Sequence, residues 1–164
     1  MPKAKLTHLD ETGAVRMVDV SGKPTTLRRA VARGTVAFGA EAFRLLRANK
    51  LAKGDALAVA RLAGIQAGKR TAELIPLCHT VPLTRLDVAV ELVPRGRLAR
   101  ITATAEARWT TGVEMEALVA VSGAALALYD MAKGVDRAIT IERIVLLEKS
   151  GGRSGTWRRG GPRP

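Results

Sequence analysis

The sequence is poor in aromatic residues, cysteine and histidine. Only five of its 164 residues are Phe, Trp or Tyr, and it contains one cysteine and two histidines. A single cysteine excludes an intrachain disulfide framework and fits a reducing compartment, so we expect a cytoplasmic protein. The first residues lack the apolar core of a signal peptide, and we expect no apolar run long enough to cross a bilayer.

The length and the 47% of hydrophobic residues indicate a globular chain with one core. Apolar periodicity predicts the following elements: a strand over 30–38 with a possible bulge at Gly34, helices over 41–50 and 55–68, a β-hairpin over 85–108, a long helix over 113–133 and a strand over 138–148. The apolar positions of the second helix cover most of its circumference, so we expect it to be largely buried.

This order of elements predicts an α+β fold that is ferredoxin-like, with helices packed on one face of a mostly antiparallel sheet. We divide the single domain into an N-terminal arm (1–27), an α+β core (28–149) and a basic, Gly-rich tail (150–164). The tail is expected to be mobile unless a ligand orders it.

The net charge of +12 is unevenly distributed along the chain. Residues 23–70 contain eleven basic and two acidic side chains, whereas residues 109–148 contain three basic and six acidic ones. A basic block together with an acidic helix suggests an anionic ligand, pairing of subunits, or both. The alternative is a surface that is merely basic and solvated.

One stiff, apolar stretch holds the only cysteine beside a histidine. Cys78 and His79 follow the run Leu74–Leu77, and Pro76 and Pro82 bracket them. The two prolines prevent this segment from continuing as a helix, so we expect Cys78 and His79 to lie in a loop. A buried, inert cysteine and a hydrogen-bonded core histidine are the simpler interpretation. Adjacent Cys and His residues are not at ligand spacing, so no metal site is predicted.

The long helix has acidic residues near both ends. Glu114 and Glu116 lie in its first turn, and Asp130 and Lys133 lie in its last turn. At 1.5 Å per residue, Glu116 and Asp130 are about 21 Å apart along the axis, so they cannot both reach one small reacting centre from one chain. Either they serve different purposes or one of them acts from a neighbouring subunit. The simpler interpretations are a favourable helix N-terminus and a surface salt bridge.

Several stretches, in order along nearly the whole chain, resemble the molybdenum-cofactor biosynthesis protein C family, the cyclic pyranopterin monophosphate synthases. They are MVDVSGK at 17–23, KGD at 53–55, ARLAGIQAGKRTAELIPLCH at 60–79, TGVEMEAL at 111–118, ALYDMAKG at 127–134 and KSGGRSG at 149–155. The resemblance implies a ferredoxin-like subunit in a hexamer of three dimers. It also implies a substrate derived from GTP, the 3′,8-cyclised dihydro nucleotide triphosphate, which is converted to cyclic pyranopterin monophosphate and pyrophosphate without a redox cofactor.

The resemblance also implies roles for individual residues. Asp130 matches the family's active-site aspartate, with Lys133 and Lys53 as its cationic partners. The chemistry of the side chains, rather than the resemblance, adds His79, because a Lys-Asp pair with a histidine nearby supplies acid and base groups for proton transfer. Substrate contacts are implied for the following residues: Leu77, Cys78, His79, Met115, Glu116, Lys69, Arg28 and Lys149. The family has Pro directly after Cys-His, whereas Thr80 and Val81 precede Pro82 here. Whether Mg²⁺ accompanies the triphosphate is left open.

A rival interpretation is a basic nucleic-acid-binding module, which the net charge and the basic tail would suit. The predicted strands lack the aromatic residues on which RNA bases stack, so we expect no nucleic-acid partner. A purely structural oligomer is a third possibility, which the clustered polar groups in ELIPLCH and GVEME disfavour. A small-molecule enzyme remains the favoured prediction.

Overall fold

The structure, a computed structural model, describes residues 13–153 and 155–160. One antiparallel sheet has the strand order β2-β3-β1-β4-β5. The strands are β1 (Thr26–Ala37), β2 (Arg85–Val93), β3 (Leu98–Trp109), β4 (Thr140–Ser150) and β5 (Trp157–Arg158), and the helices are α1 (Ala40–Arg47), α2 (Ala56–Lys69), α3 (Thr71–Leu74) and α4 (Glu114–Ala132). The predicted α+β class and antiparallel sheet are confirmed. The sequence did not predict α3 or β5, and β5 lies in the stretch expected to be a mobile tail.

The sheet has one face that is built from small apolar side chains. In β3, Ala99, Ile101 and Ala103 alternate with more exposed residues and are fully buried. The helix α4 packs against all four long strands, and α2 packs against α4 and β2. Alanines on the buried face let α4 lie close to the sheet, so this helix becomes the centre of the core.

The opposite face of the sheet carries a row of ion pairs. The row runs across all five strands through Arg85, Glu106, Arg29, Glu148 and Arg158. Alternating signs on neighbouring strands stabilise their register, although each partly exposed pair contributes little by itself. The row joins the short β5 to the rest of the sheet.

The predicted bulge at Gly34 is wrong. Gly34 pairs in register with Ile101 on one side and Ile144 on the other. The register shifts instead leave Glu142 and Leu147 of β4 without a register partner in β1. A Cβ at Gly34 would lie 2.6 Å from Cγ1 of Val121, so glycine is needed here for the close approach of α4.

The prediction that α2 is largely buried is also wrong. Its buried residues are Ala56, Ala60, Gly64 and Gly68, a stripe with a spacing of four residues. This stripe lies against α4, and a Cβ at Gly64 would be 2.8 Å from the carbonyl oxygen of Ala120. Small residues therefore make the contact, whereas Val59 and Leu62 are 42% and 58% exposed on the single chain.

By length and composition, α4 could cross a bilayer, contrary to the expectation from sequence. In the structure, 56% of its most apolar 18-residue window is buried. A core helix meets the same criterion of length and hydropathy, and the packing of α4 against both the sheet and α2 identifies it as one.

Candidate active site

Two adjoining cavities open beside the N-terminal end of α4. The basic chamber, of about 570 Å³, is lined by cations that include Lys23, Arg28 and Lys149. The LCH chamber, of about 480 Å³, is lined by the loop Leu77–His79 and by the first turn of α4. Both are lined by Lys23, Thr111, Gly112 and Glu114. The chambers therefore form one cleft, with a cationic part and a part of mixed polarity.

The LCH chamber owes its shape to the loop that follows α3. The Cys78 N–H donates to the carbonyl oxygen of Ile75 at 3.0 Å, which closes a turn before the polar pair. Nε2 of His79 lies 2.9 Å from the carbonyl oxygen of Val18. Because a carbonyl can only accept, Nε2 carries the proton, and a neutral ring then keeps its lone pair on Nδ1. The N-terminal arm is thus tied to the loop through Nε2 of His79.

Glu116 is the most buried acidic side chain that the structure describes, at 5% exposure. Burial raises the pKa of its carboxyl above the usual 4.5, and the nearby Glu114 carboxylate raises it further. Burial also raises the pKa of the Cys78 thiol, and the negative charge of Glu116 raises it further. Cys78 is therefore a protonated wall of the chamber rather than an activated nucleophile.

The basic chamber is built by residues of β1 and β4, by the first turn of α4 and by the loops beside them. Arg28 donates from Nε to the carbonyl oxygen of Trp109 at 3.2 Å and from Nη2 to that of Thr110 at 3.0 Å. Lys149 Nζ lies 2.9 Å from Oε1 of Glu114. With Lys23 and Arg153, four cations and one carboxylate line the chamber. This excess of positive charge suits a ligand with several phosphate groups.

Two glycines, Gly151 and Gly152, form part of the lining of the basic chamber. Gly151 and Gly152 have φ angles of 102° and 71°, which favour glycine. A Cβ at Gly151 would lie 2.0 Å from the carbonyl oxygen of Leu27, and one at Gly152 would lie 2.1 Å from Nη1 of Arg28. Only glycine therefore lets this turn pass directly over Arg28.

The C-terminal end of α4 carries a different group of charges. Asp130 accepts from Lys53 Nζ at 2.6 Å and from Lys133 Nζ at 2.7 Å, one lysine on each carboxylate oxygen. Lys53 Nζ also donates to the carbonyl oxygen of Asp130 at 2.9 Å. Hydrogen bonds from Lys133 and Lys53 lower the pKa of Asp130 to about 2, and Asp130 raises the pKa of Lys133. This Lys-Asp-Lys group is about half exposed.

Comparison with known proteins identifies the family. Residues 17–152 match the sequence profile of the MoaC family. The chain belongs to the MoaC family. It is 60% identical to a cyclic pyranopterin monophosphate synthase of Thermomicrobium roseum over 95% of this chain and 94% of that protein. It is 52% identical to the enzyme of that name from Parvibaculum lavamentivorans, over 96% and 99% of the two chains. It is 55% identical to cyclic pyranopterin monophosphate synthase 1 of Mycobacterium tuberculosis, over 94% and 90%.

These relatives confirm the family resemblance, since they bear the name of one enzyme of molybdenum-cofactor biosynthesis and match this chain over nearly their whole length. The nucleic-acid-binding alternative is not supported by any of these matches.

The structure divides the predicted site residues of this MoaC chain into two groups. The LCH chamber contains Leu77, Cys78, His79, Met115 and Glu116, and the basic chamber contains Arg28 and Lys149. Lys53, Asp130 and Lys133 meet at the other end of α4, about 21 Å away along a straight helix of 1.5 Å per residue. Lys69 lines neither chamber and is exposed at the end of α2.

Several residues of the cleft were not predicted from the sequence. Lys23 and Arg153 line the basic chamber. The signals for them were the family resemblance of the stretches MVDVSGK and KSGGRSG and, for Arg153, the Gly-rich run 149–155 with two cations, a composition that could wrap a phosphate. Glu114 was interpreted as a favourable charge at a helix N-terminus, whereas it pairs with Lys149 from β4. Because these contacts join residues distant in sequence, only the stretches were visible, not the pairings.

Within residues 13–153 and 155–160, no group of three or more His, Cys, Asp or Glu side chains could hold a metal ion.

Proposed function

We propose that this protein is a cyclic pyranopterin monophosphate synthase, which converts the 3′,8-cyclised dihydro-GTP intermediate to cyclic pyranopterin monophosphate and releases pyrophosphate. The observation that carries the proposal is the two-part cleft: a cationic chamber opens directly into one lined by His79 and the buried Glu116. A substrate with a triphosphate and a heterocyclic part needs both environments side by side. The relatives' names support the same activity.

The basic chamber is proposed to hold the triphosphate. Its four cations would neutralise the phosphate groups and stabilise the charge that develops as pyrophosphate leaves. Arg28 is fixed by two backbone carbonyls, so its guanidinium is positioned before the substrate arrives. Glu114 forms an ion pair with Lys149 in the chamber, and its negative charge reduces the net positive charge of the cleft.

The LCH chamber is proposed to hold the base and the ribose-derived part. Its walls offer a donor or acceptor at His79, a carboxyl of raised pKa at Glu116 and apolar contacts from Leu77 and Met115. A carboxyl of raised pKa exchanges its proton at a higher pH than an exposed carboxyl, which suits a group that takes part in proton transfer.

The Lys-Asp-Lys group is proposed to supply proton transfer and charge stabilisation from a neighbouring subunit. In one chain this group lies at the far end of α4 from the cleft, which supports a site completed by a second subunit. We propose a homo-oligomer, a hexamer of three dimers, in which Lys53, Asp130 and Lys133 of one subunit face the cleft of another. The half-exposed position of the group fits completion by a partner.

The reaction as proposed uses no redox cofactor and no resident metal, and any Mg²⁺ would enter with the triphosphate. We place the enzyme in the cytoplasm, which the single thiol and the lack of disulfides suit.

The test is an assay of the purified protein with the cyclised triphosphate, in which the pterin product and pyrophosphate are measured together. We expect equal amounts of both, and loss of both with Lys53→Ala. Release of pyrophosphate without a pterin product, or no turnover by folded protein, would refute the proposal.

A further inference from the structure

The C-terminal residues Trp157–Arg159, here called the clip, are fastened to the edge of β4. Trp157 pairs with Lys149 and Arg158 with Glu148 in antiparallel register. The Arg159 N–H donates to the carbonyl oxygen of Leu147 at 2.8 Å, and its Nε donates to that of Leu146 at 2.7 Å. The Arg159 guanidinium also lies 5.9 Å from the centre of the Trp157 ring. The clip is thus held by backbone and side chains together.

The clip lies next to the residues that line the basic chamber. Lys149, the register partner of Trp157, reaches the chamber from β4. The turn Gly151–Arg153 follows two residues later, and only three residues separate Arg153 from Trp157. At the near end of the turn, Gly151 and Gly152 approach Leu27 and Arg28 so closely that a Cβ at either position would lie 2.0 or 2.1 Å from them. The clip fixes the chain on the far side of the same turn.

We propose that the clip is a positioning element for the basic chamber: by pairing with Lys149 and ending the glycine turn, it holds Lys149 and Arg153 ready for the phosphate groups. The inference rests on the proposed function of that chamber. A glycine-rich turn that is anchored at one end only would have to be ordered when the ligand binds. That ordering costs free energy and weakens binding, without altering the groups that perform the chemistry.

A purely structural role makes a different prediction. If β5 only covered the edge of the sheet, its loss would lower the melting temperature or the solubility and leave ligand affinity unchanged. Two measurements therefore distinguish the two roles: the affinity for pyrophosphate, and whether a change in the clip alters KM or kcat.

The experiment compares Trp157→Ala with Trp157→Phe in the full chain. We expect Trp157→Ala to raise both the Kd for pyrophosphate, measured by calorimetry, and the KM for the cyclised triphosphate by about tenfold. We expect kcat to stay within about twofold of the parent value, because the reacting groups are unchanged. Trp157→Phe retains an aromatic ring and should restore Kd and KM.

Two truncations give a second measurement in case Trp157→Ala does not fold. Removal of residues 161–164 leaves the clip intact and should change neither Kd nor KM. Removal of residues 157–164 deletes the clip and should reproduce the loss of affinity. Equal pyrophosphate affinity of folded clip-free and parent proteins would overturn the inference, as would a fall in kcat with unchanged KM. Pyrophosphate titration needs no turnover, so it still decides the role of the clip if the proposed reaction itself fails.

Discussion

The two ends of α4 present opposite environments to a ligand. At the N-terminal end, Glu116 is buried beside a cleft, and its pKa is raised. At the C-terminal end, Asp130 is half exposed between two lysines, and its pKa is lowered to about 2. The pKa of one carboxyl is therefore shifted upwards by burial, whereas the other carboxyl is ionised at any physiological pH.

This difference suits different functions for the two ends of α4. The enclosed end has the volume, the cations and the apolar walls that binding requires. The exposed end has a group of three paired charges that lines neither chamber. If the reaction uses both ends, as proposed, the site is assembled from two chains, and α4 is the spacer that separates the two groups within each chain.

The largest expected effect is at the exposed end. Asp130→Asn removes the charge that holds Lys53 and Lys133 together, so we expect kcat to fall about 10³-fold while the Kd for pyrophosphate changes little. Steady-state kinetics and calorimetry measure the two quantities. Glu41→Gln is a matched control, because Glu41 and Arg44 form an exposed pair at the same i, i+3 spacing in α1. A similar fall in kcat in the control, or none in Asp130→Asn, would contradict the assignment.

The next effect is at the enclosed end. Lys149→Met removes one of four cations from the basic chamber and leaves Glu114 without its partner, so we expect KM to rise about 10- to 30-fold. The exposed Lys50, which lines neither chamber, gives the control Lys50→Met with the same change in net charge. If both variants raise KM equally, the effect is one of overall charge, and the chamber has no specific role.

The packing that holds α4 in place can be tested at its contact with α2. Gly64→Val places side-chain atoms against the backbone of Ala120, so we expect a loss of about 2–3 kcal/mol in the free energy of unfolding. A Cβ at Gly134 would meet no described atom within 4 Å, so Gly134→Val serves as the control and should change stability little. Denaturant unfolding measures both variants. Equal stability of the two would show that α2 and α4 can move apart without cost.

The smallest effect is the dependence of stability on pH, and the two ends should differ in sign. Burial raises the pKa of Glu116 in the folded chain, so its contribution to stability is present below pH 4.5 and is lost as the pH rises through the raised value. We therefore expect Glu116→Gln to gain melting temperature relative to the parent as the pH increases from 4 to 8. A constant difference across this range would contradict the shifted pKa.

Asp130 should behave in the opposite way. Its pKa is lowered from 3.8 to about 2, so its contribution to stability is present above pH 3.8 and is lost as the pH falls towards 2. Asp130→Asn should consequently be less stable than the parent at neutral pH, and the difference should disappear at acid pH. Thermal melts of both variants over the same buffers measure the comparison directly.

Local periodicity predicted most of the fold. Strict alternation in β2 and β3 and the long apolar run of α4 are properties of consecutive residues, so the sequence displays them directly. The errors arose where packing against another element decides which residues are buried. Apolar residues around α2 indicated burial, but small residues on one stripe made the contact with α4 and left Val59 and Leu62 exposed. The two residues of β5 are too few to produce a pattern.

The candidate site was predictable to a similar extent. Residue types and family resemblance selected Lys53, Asp130 and His79, and helix geometry alone separated Glu116 from Asp130. The role of Glu114 was not visible, because its partner Lys149 is 35 residues away in sequence. The hydrogen bond between His79 and Val18, which spans 61 residues, was hidden for the same reason.

The most direct test of a site shared between subunits is complementation between two inactive variants. Asp130→Asn disables only the exposed end and Glu116→Ala only the enclosed end. After the two are unfolded together and reassembled, each mixed pair of a twofold dimer contains one site with neither substitution, so we predict recovery of about a quarter of the parent activity. If oligomers shown by mass spectrometry to contain both variants stay as inactive as either variant alone, the site is not shared between subunits.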